Sequence, residues 1–408
     1  MTHTALTPSA LLAGLPVRQG FGDATLIRLA PGSIDLGGGN PATDLLPLDL
    51  YRVAFREVTE GDGFGALLKY TPAPGLASLR AAIAARDGVD AERVLITNGG
   101  AHGLALAVLS VLDPGDTIVV DDPVYPLFLR VLDLIGVNVV PLRVGAAGID
   151  TDELEQRLRD GLRPKALFTV PTFQNPSGVT LSAERESALV ALAEQYGFVV
   201  IADDPYRAIA FPGTTVPTRT AFRGSDHVLA VNTFSKTLGP GLRLGWIVVP
   251  TALTERVTWL RNRLDGQTSG ILQAVVERML ADDRLDPSIT AAGAGYARKA
   301  TVLTGALRSE FGDAVEVADP QGGFFAWARL DGDIDFTQLF ERAQDLGVTY
   351  QRGEWFAASG EAFRGFARLS FSEVSEHDLT EGVARLAQAW RELTGRGSGS
   401  DARSRLGS

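Results

Sequence analysis

The stretch Asn232-Thr-Phe-Ser-Lys-Thr-Leu-Gly-Pro-Gly-Leu-Arg-Leu-Gly-Trp246 fixes the starting point. It continues the β-branched run Val228–Val231, so Lys236 sits in a turn just past a strand. The hydroxyls of Ser235 and Thr237 flank the lysine, and Arg243 follows seven residues later. An amine can form a Schiff base with an aldehyde, and hydroxyls beside a guanidinium suit a phosphate. Taken alone, a solvated Ser-Lys-Thr loop is the plainer alternative.

Around it lie further short β-branched runs: Val94–Thr97, Thr117–Val120, Asn138–Leu142, Ala166–Pro171, Phe198–Asp203 and Gly245–Val249. Most are apolar without alternation, as expected of strands covered on both faces. Helical patterns separate them at Gly103–Leu112, Tyr125–Ile135, Asp152–Leu162 and Ala183–Tyr196, the last with Ser182 in cap position. This alternation predicts an α/β fold: a large domain over residues 37–289, with a mainly parallel seven-stranded sheet between helices. From about residue 290, helical patterns at Ala291–Phe311, Phe336–Leu346 and Glu376–Leu393 surround strand runs Val315–Val317, Gly323–Leu330 and Arg368–Phe371, predicting a smaller α+β domain over 290–394. Residues 1–36 are interrupted by Pro and Gly and are expected to pack with the small domain. Residues 395–408 are polar and of low complexity and are expected to be a disordered tail.

Ligands of such sheets sit at the carboxyl ends of the strands, and the chemically interesting residues follow the strands. Ile201-Ala-Asp-Asp-Pro-Tyr206 places Asp203 and Tyr206 at a strand end, although Asp-Asp-Pro also suits a plain capped turn. A carboxylate about 4 Å from a pyridine nitrogen, at an effective dielectric of about 20, is worth roughly 4 kcal/mol, enough to keep that nitrogen protonated and the ring an electron sink. Pro171-Thr-Phe-Gln-Asn-Pro-Ser-Gly178 offers the Asn175 amide, with Asn175–Pro176 a candidate cis bond. Thr97-Asn-Gly-Gly-Ala-His102 is a glycine turn opening a helix, where backbone N–H groups can cradle a phosphate. Asp121-Asp-Pro-Val-Tyr-Pro126 offers Tyr125 for stacking on an aromatic ring, or simply for the core. Arg364-Gly-Phe-Ala-Arg-Leu-Ser-Phe371 puts Arg368 at the start of a strand, suited to a carboxylate or to a surface ion pair.

Composition narrows the function. Hydrophobic residues make up 45% and charged residues 21%, the profile of a globular protein. The formal charge of −11, with no long basic run, argues against nucleic-acid and anionic-membrane partners. With no cysteine and four scattered histidines, no metal site is expected. Met1 to Gly14 lacks the pattern of a signal peptide and no apolar run is long enough to span a bilayer, so a cytoplasmic location is expected.

Taken in order and spacing, these motifs resemble fold type I pyridoxal phosphate enzymes of aminotransferase class I/II, over about Leu36 to Leu393. The phrases Tyr70-Thr-Pro-Ala-Pro-Gly-Leu-Ala-Ser-Leu-Arg80, Phe173-Gln-Asn-Pro-Ser-Gly178, Asp203-Asp-Pro-Tyr-Arg207 and Phe234–Trp246 look most like the 2-aminoadipate aminotransferase-like branch. The resemblance implies pyridoxal 5′-phosphate as cofactor and transfer of an amino group between an L-amino acid and a 2-oxo acid, with 2-oxoglutarate/glutamate as the default pair. It assigns Lys236 as the Schiff-base lysine and proton carrier, and Asp203 as the partner of the ring nitrogen. Tyr206 and Asn175 would hydrogen-bond the ring oxygen, and Tyr125 would stack. Gly100, Ala101, Thr233, Ser235 and Arg243 would hold the phosphate, and Arg368, with Asn175 and Gly39, the substrate carboxylate. Tyr70 looks like the tyrosine that reaches the phosphate of a neighbouring subunit, implying a homodimer with shared sites.

The sequence departs from that pattern in places. Gly100-Ala-His102 stands where relatives tend to have Ser-Gln-Gln, Asn40 where they tend to have leucine, and Tyr350-Gln-Arg-Gly-Glu-Trp355 where Val-Pro-Gly is usual. These departures leave open a specialised pyridoxal phosphate enzyme of secondary metabolism, an eliminase, cyclase or oxidase. A ligand-binding regulator fits less well, because no DNA-binding head is evident.

Overall fold

Continuous apolar runs give strands that must be covered on both faces, and the chain satisfies them with one large sheet. The computed structural model describes residues 6–16, 18, 31–360 and 362–395; all of the expected tail beyond Gly395 lies outside these. A two-residue strand, β1 (Ile34–Asp35), precedes the sheet. The sheet consists of β2 (Val94–Thr97), β3 (Thr117–Asp122), β4 (Asn138–Gly145), β5 (Gly148–Ile149), β6 (Ala166–Thr169), β7 (Val199–Asp203), β8 (Val228–Thr233) and β9 (Gly245–Val248). Its order is β2-β9-β8-β7-β6-β3-β4-β5. The pairings of β4 with β3, β3 with β6, β6 with β7 and β7 with β8 are parallel, and the edges are antiparallel. All seven expected strands are present. The eighth, β5, is a hairpin return that extends one edge.

The two faces are sealed by helices. Phe128, from the helix Pro126–Asp133, stacks on Phe168 of β6 with ring centroids 3.6 Å apart. The helix Ala183–Tyr196 starts at Ser182, whose hydroxyl accepts the Arg185 N–H at 3.3 Å, and stops at Gly197 with φ +76°.

A second, four-stranded antiparallel sheet is formed by β10 (Val315–Val317), β11 (Phe325–Leu330), β13 (Gln351–Arg352) and β14 (Phe366–Ser370), while β12 (Val348–Thr349) pairs in parallel with β1. The helix Asp286–Phe311 links the two sheets, starting five residues before the helical pattern read from sequence. The two sheets also meet through the turn after β6. A Cβ at Gly322 would lie 2.2 Å from Phe173 Cε2, so only glycine permits this approach. The contact presses the small sheet against the carboxyl end of the large one.

Candidate active site

The Lys236 loop is built from the end of β8. Thr233 Oγ1 accepts the Ser235 N–H at 3.1 Å and shares a 2.8 Å hydrogen bond with the Ser235 hydroxyl. One tight turn, Phe234–Lys236, then aims the lysine inward. Its Nζ donates to the Gly39 carbonyl at 2.8 Å and lies 5.6 Å from the ring centroids of Tyr206 and Phe324. Burial, helped by the positive charge of Arg368 and opposed by Asp203, pulls the amine down to about 8. Lys236 is therefore far closer to its neutral, nucleophilic form than a surface lysine.

Beside it lies a glycine turn. Gly99, at φ +81°, turns the chain from β2 into the helix Gly100–Val111, whose first N–H groups are free of helical partners. Arg243, in the left-handed region at φ +50°, brings its guanidinium over that turn, with Nη2 donating to the Asn98 carbonyl at 3.1 Å. A Cβ on Gly99 would be 2.7 Å from Arg243 Nη2. One on Gly245 would be 2.6 Å from the Asn232 carbonyl oxygen and 2.9 Å from the Gly99 carbonyl carbon. The two glycines let strand, arginine and helix start converge.

Deeper in, Asp203 ends β7 with its carboxyl buried. Desolvation, reinforced by Asp204 and opposed by Lys236, raises it to about 7. Burial also pushes the Tyr125 and Tyr206 phenols up, so both are neutral donors. Asn175 is joined to Pro176 by a cis peptide bond, as the sequence suggested it could be. Its Oδ1 accepts from Arg368 Nη1 at 3.1 Å. Arg368 is fully buried, third rather than first in its strand, and its Nη2 donates to the Gly37 carbonyl at 2.5 Å. Its guanidinium lies 4.0 Å from the Phe325 ring centroid. Burial lowers it to about 10, so it stays charged at neutral pH.

These groups surround one cavity of about 440 Å³. Lys236, Asp203, Tyr206, Gly39, Gly100, Ala101, Tyr125, Asn175, Thr233, Ser235 and Arg243 all line it. Arg368 lies just beneath, reaching it through Asn175 and Gly37. Tyr70 is the exception, standing apart with 98% of its surface exposed.

Residues 31–386 match the family model described as aminotransferase class I and II. The chain belongs to that family. This aminotransferase is 31% identical over 369 residues to the aromatic-amino-acid aminotransferase 1 of Thermococcus litoralis, 88% of each chain being covered. It is 30% identical over 366 residues to the 2-aminoadipate transaminase of Thermus thermophilus, covering 89% of this chain and 91% of that one. The solved α-aminoadipate aminotransferase of Thermus thermophilus, in complex with N-(5′-phosphopyridoxyl)-L-leucine, superposes with a TM-score of 0.86 at 28% identity, over 95% of this chain and 98% of that one. The enzyme transfers amino groups and uses pyridoxal 5′-phosphate, and the cavity fits that cofactor. It offers an amine of lowered pKa, an acid for a ring nitrogen and a glycine-formed cradle for a dianion.

Three residues to which the sequence reading gave no definite role shape the aminotransferase site. Asp121, at the end of β3, accepts the Val170 N–H at 2.9 Å and the Thr169 hydroxyl at 3.2 Å, tying the turn after β6 to its neighbour. Arg219 is buried and donates to the carbonyls of Pro171 at 2.5 Å and Leu181 at 2.9 Å, clamping the loop that presents Asn175. His102 does not line the cavity. Its Nδ1 accepts the Asn98 N–H at 3.1 Å and stands 3.6 Å from Asp265, while burial lowers its pKa and keeps it neutral. It braces the glycine turn from behind. An acidic residue ending a core strand was a usable signal for Asp121; nothing local distinguished Arg219.

Proposed function

We propose that the aminotransferase exchanges the amino group of an L-amino acid with 2-oxoglutarate, and that Lys236, Asp203 and Arg368 carry the reaction. The observation behind this is a desolvated lysine amine in the same cavity as a buried acid, above a buried arginine. When bound, pyridoxal phosphate supplies an electron-accepting ring that acidifies the Cα–H of an attached amino acid.

The chain's residues do the rest. Arg368 takes the α-carboxylate with its planar fork, with Asn175 and the Gly37–Gly39 backbone beside it. Holding the carboxylate would orient the amino acid for reaction, which is worth several kcal/mol. The Lys236 amine, lowered to about 8, would accept the Cα proton of the held amino acid. Asp203 would pair with the ring nitrogen, and Asn175 and Tyr206 would donate to the ring oxygen. Gly100, Ala101, Thr233, Ser235 and Arg243 anchor the phosphate.

A homodimer belongs to the same proposal. Tyr70 lies beside exposed Leu68, and Leu48, Val53, Phe55, Trp259 and Leu264 are exposed as well. Covering this apolar surface with a second copy would bring Tyr70 to the partner's cradle. The reading also divides the chain into a cofactor-binding part, 37–289, and a smaller part, 290–394; the separate sheets support it.

The test is a half-reaction. Each amino acid is added to the loaded enzyme without an acceptor, followed by 2-oxoglutarate. Loss of the visible absorption, release of the matching 2-oxo acid and recovery on adding 2-oxoglutarate are expected. Release of ammonia, peroxide or a cyclised product without recovery would overturn the proposal.

A further inference from the structure

We propose that a second cavity, behind the Lys236 loop, binds a small organic anion with an apolar body. It measures about 250 Å³ and is bounded by the helix Ala77–Asp87, the turn after β7, the end of β8 and the segment from Leu280 to Ile289. Thr233 and Pro205 border both this cavity and the cofactor cavity, so the two share a wall.

One end of the cavity is cationic. Arg207 and Arg223 both line it. Arg207 Nη1 is buried without a hydrogen bond and stands 3.8 Å from Asp204 Oδ2, a loose ion pair. Burial, then the charge of Arg207, lowers the Arg223 pKa, opposed by Asp87, Glu186 and Asp204. Asp87 already accepts from Trp246 Nε1 at 2.7 Å, and burial raises the pKa of both Asp87 and Asp204. Arg86, on the same rim, is committed to Asp286 at 2.5 Å. A buried charged donor left without a hydrogen bond is costly, and an oxyanion bridging both guanidiniums would offset that cost.

Ile83, Phe234, Leu280, Leu285 and Ile289 give the cavity an apolar wall as well. An inorganic ion would leave this wall unused, so the fitting ligand carries a phosphate or carboxylate on a hydrocarbon or ring. The position gives the site a consequence. Thr233, Phe234 and Thr237 bracket Lys236 in sequence and line the second cavity, so an occupant packs directly against the loop that presents the catalytic amine.

The probe is phenyl phosphate, titrated calorimetrically into the cofactor-loaded enzyme, whose cradle is filled by the cofactor's own phosphate. One molecule per chain is expected, bound at least tenfold tighter than inorganic phosphate. Arg207→Gln and Arg223→Gln should each weaken it at least tenfold while leaving basal transamination in place. Because either variant could lose its fold, the parent protein is also labelled with 15N at its five tryptophans. Phenyl phosphate should shift the indole resonance of Trp246, which lines the cavity, more than the other four, the peak being assigned with Trp246→Phe. Absence of binding, equal affinity in the folded arginine variants, or an unmoved Trp246 signal overturns the proposal.

Discussion

Replacing Arg368 by lysine keeps the charge and removes the geometry, so it isolates what the planar fork contributes. In the protein as it stands, Arg368 donates to the Gly37 carbonyl and to Asn175 Oδ1 and lies 4.0 Å from the Phe325 ring centroid. An ammonium on a shorter, flexible stem keeps three donors but lacks the planar fork that aligns them with both acceptors. Hydrogen bonds from a charged donor are worth about 1.5–3 kcal/mol each, and a desolvated contact over an aromatic face about 2 kcal/mol. Loss of one bond and of part of the ring contact gives roughly 2–4 kcal/mol, a factor of about 30 to 1000 in capture of the amino acid. The assay is spectral titration of the loaded enzyme with an amino acid and, separately, with the amine that lacks its carboxylate. Arg368→Lys should weaken the amino acid by that factor and leave the amine nearly unchanged. Equal losses for both would mean that Arg368 supports the fold of the cavity and not the carboxylate, and the assignment would fail.

Two other perturbations follow from the same geometry. Gly245→Ala puts a methyl 2.6 Å from the Asn232 carbonyl oxygen and against the Gly99–Gly100 turn, so the cradle must open; cofactor affinity measured by absorbance should drop at least tenfold while the sheet stays folded by circular dichroism. Asp121 is held by burial at about 7 in the folded protein, against about 4 when unfolded. The folded state binds that proton more tightly, so the associated stability is full below about pH 4 and is lost as pH rises towards 7. Asp121→Asn should flatten the decline in melting temperature of the cofactor-free protein between pH 4 and 7, although Asp203 retains its own share of the slope; an unchanged pH dependence would show that Asp121 is ionised throughout.

The strands were legible because a sheet covered on both faces imposes long apolar runs, and β2, β3, β6 and β7 are such runs. The two-residue β5 carries no pattern that separates it from a turn. Helix starts were read late where helix-poor residues stand inside the first turn. Gly100 to His102 read as a loop but begins the helix Gly100–Val111, and Pro287 sits in the first turn of Asp286–Phe311, where a missing N–H costs nothing. Site residues on strand ends were visible because strand ends are where ligands sit. Arg368 could be suspected as a carboxylate binder, but its partners Gly37 and Asn175 are distant in sequence and only the fold brings them together. The brace at His102, the clamp at Arg219 and the cavity at Arg207 and Arg223 depend on packing between elements, for which one sequence offers no periodicity.

The central claim is that Lys236, alone among the four lysines of the chain, holds the cofactor. Lys69 and Lys165 are exposed, and Lys299 donates to the Ser372 carbonyl at 3.1 Å away from the cavity. Borohydride reduction of the loaded enzyme followed by peptide mass spectrometry should find the pyridoxyl group on the peptide containing Lys236. A modification on Lys69, Lys165 or Lys299, or on no lysine, would contradict the account.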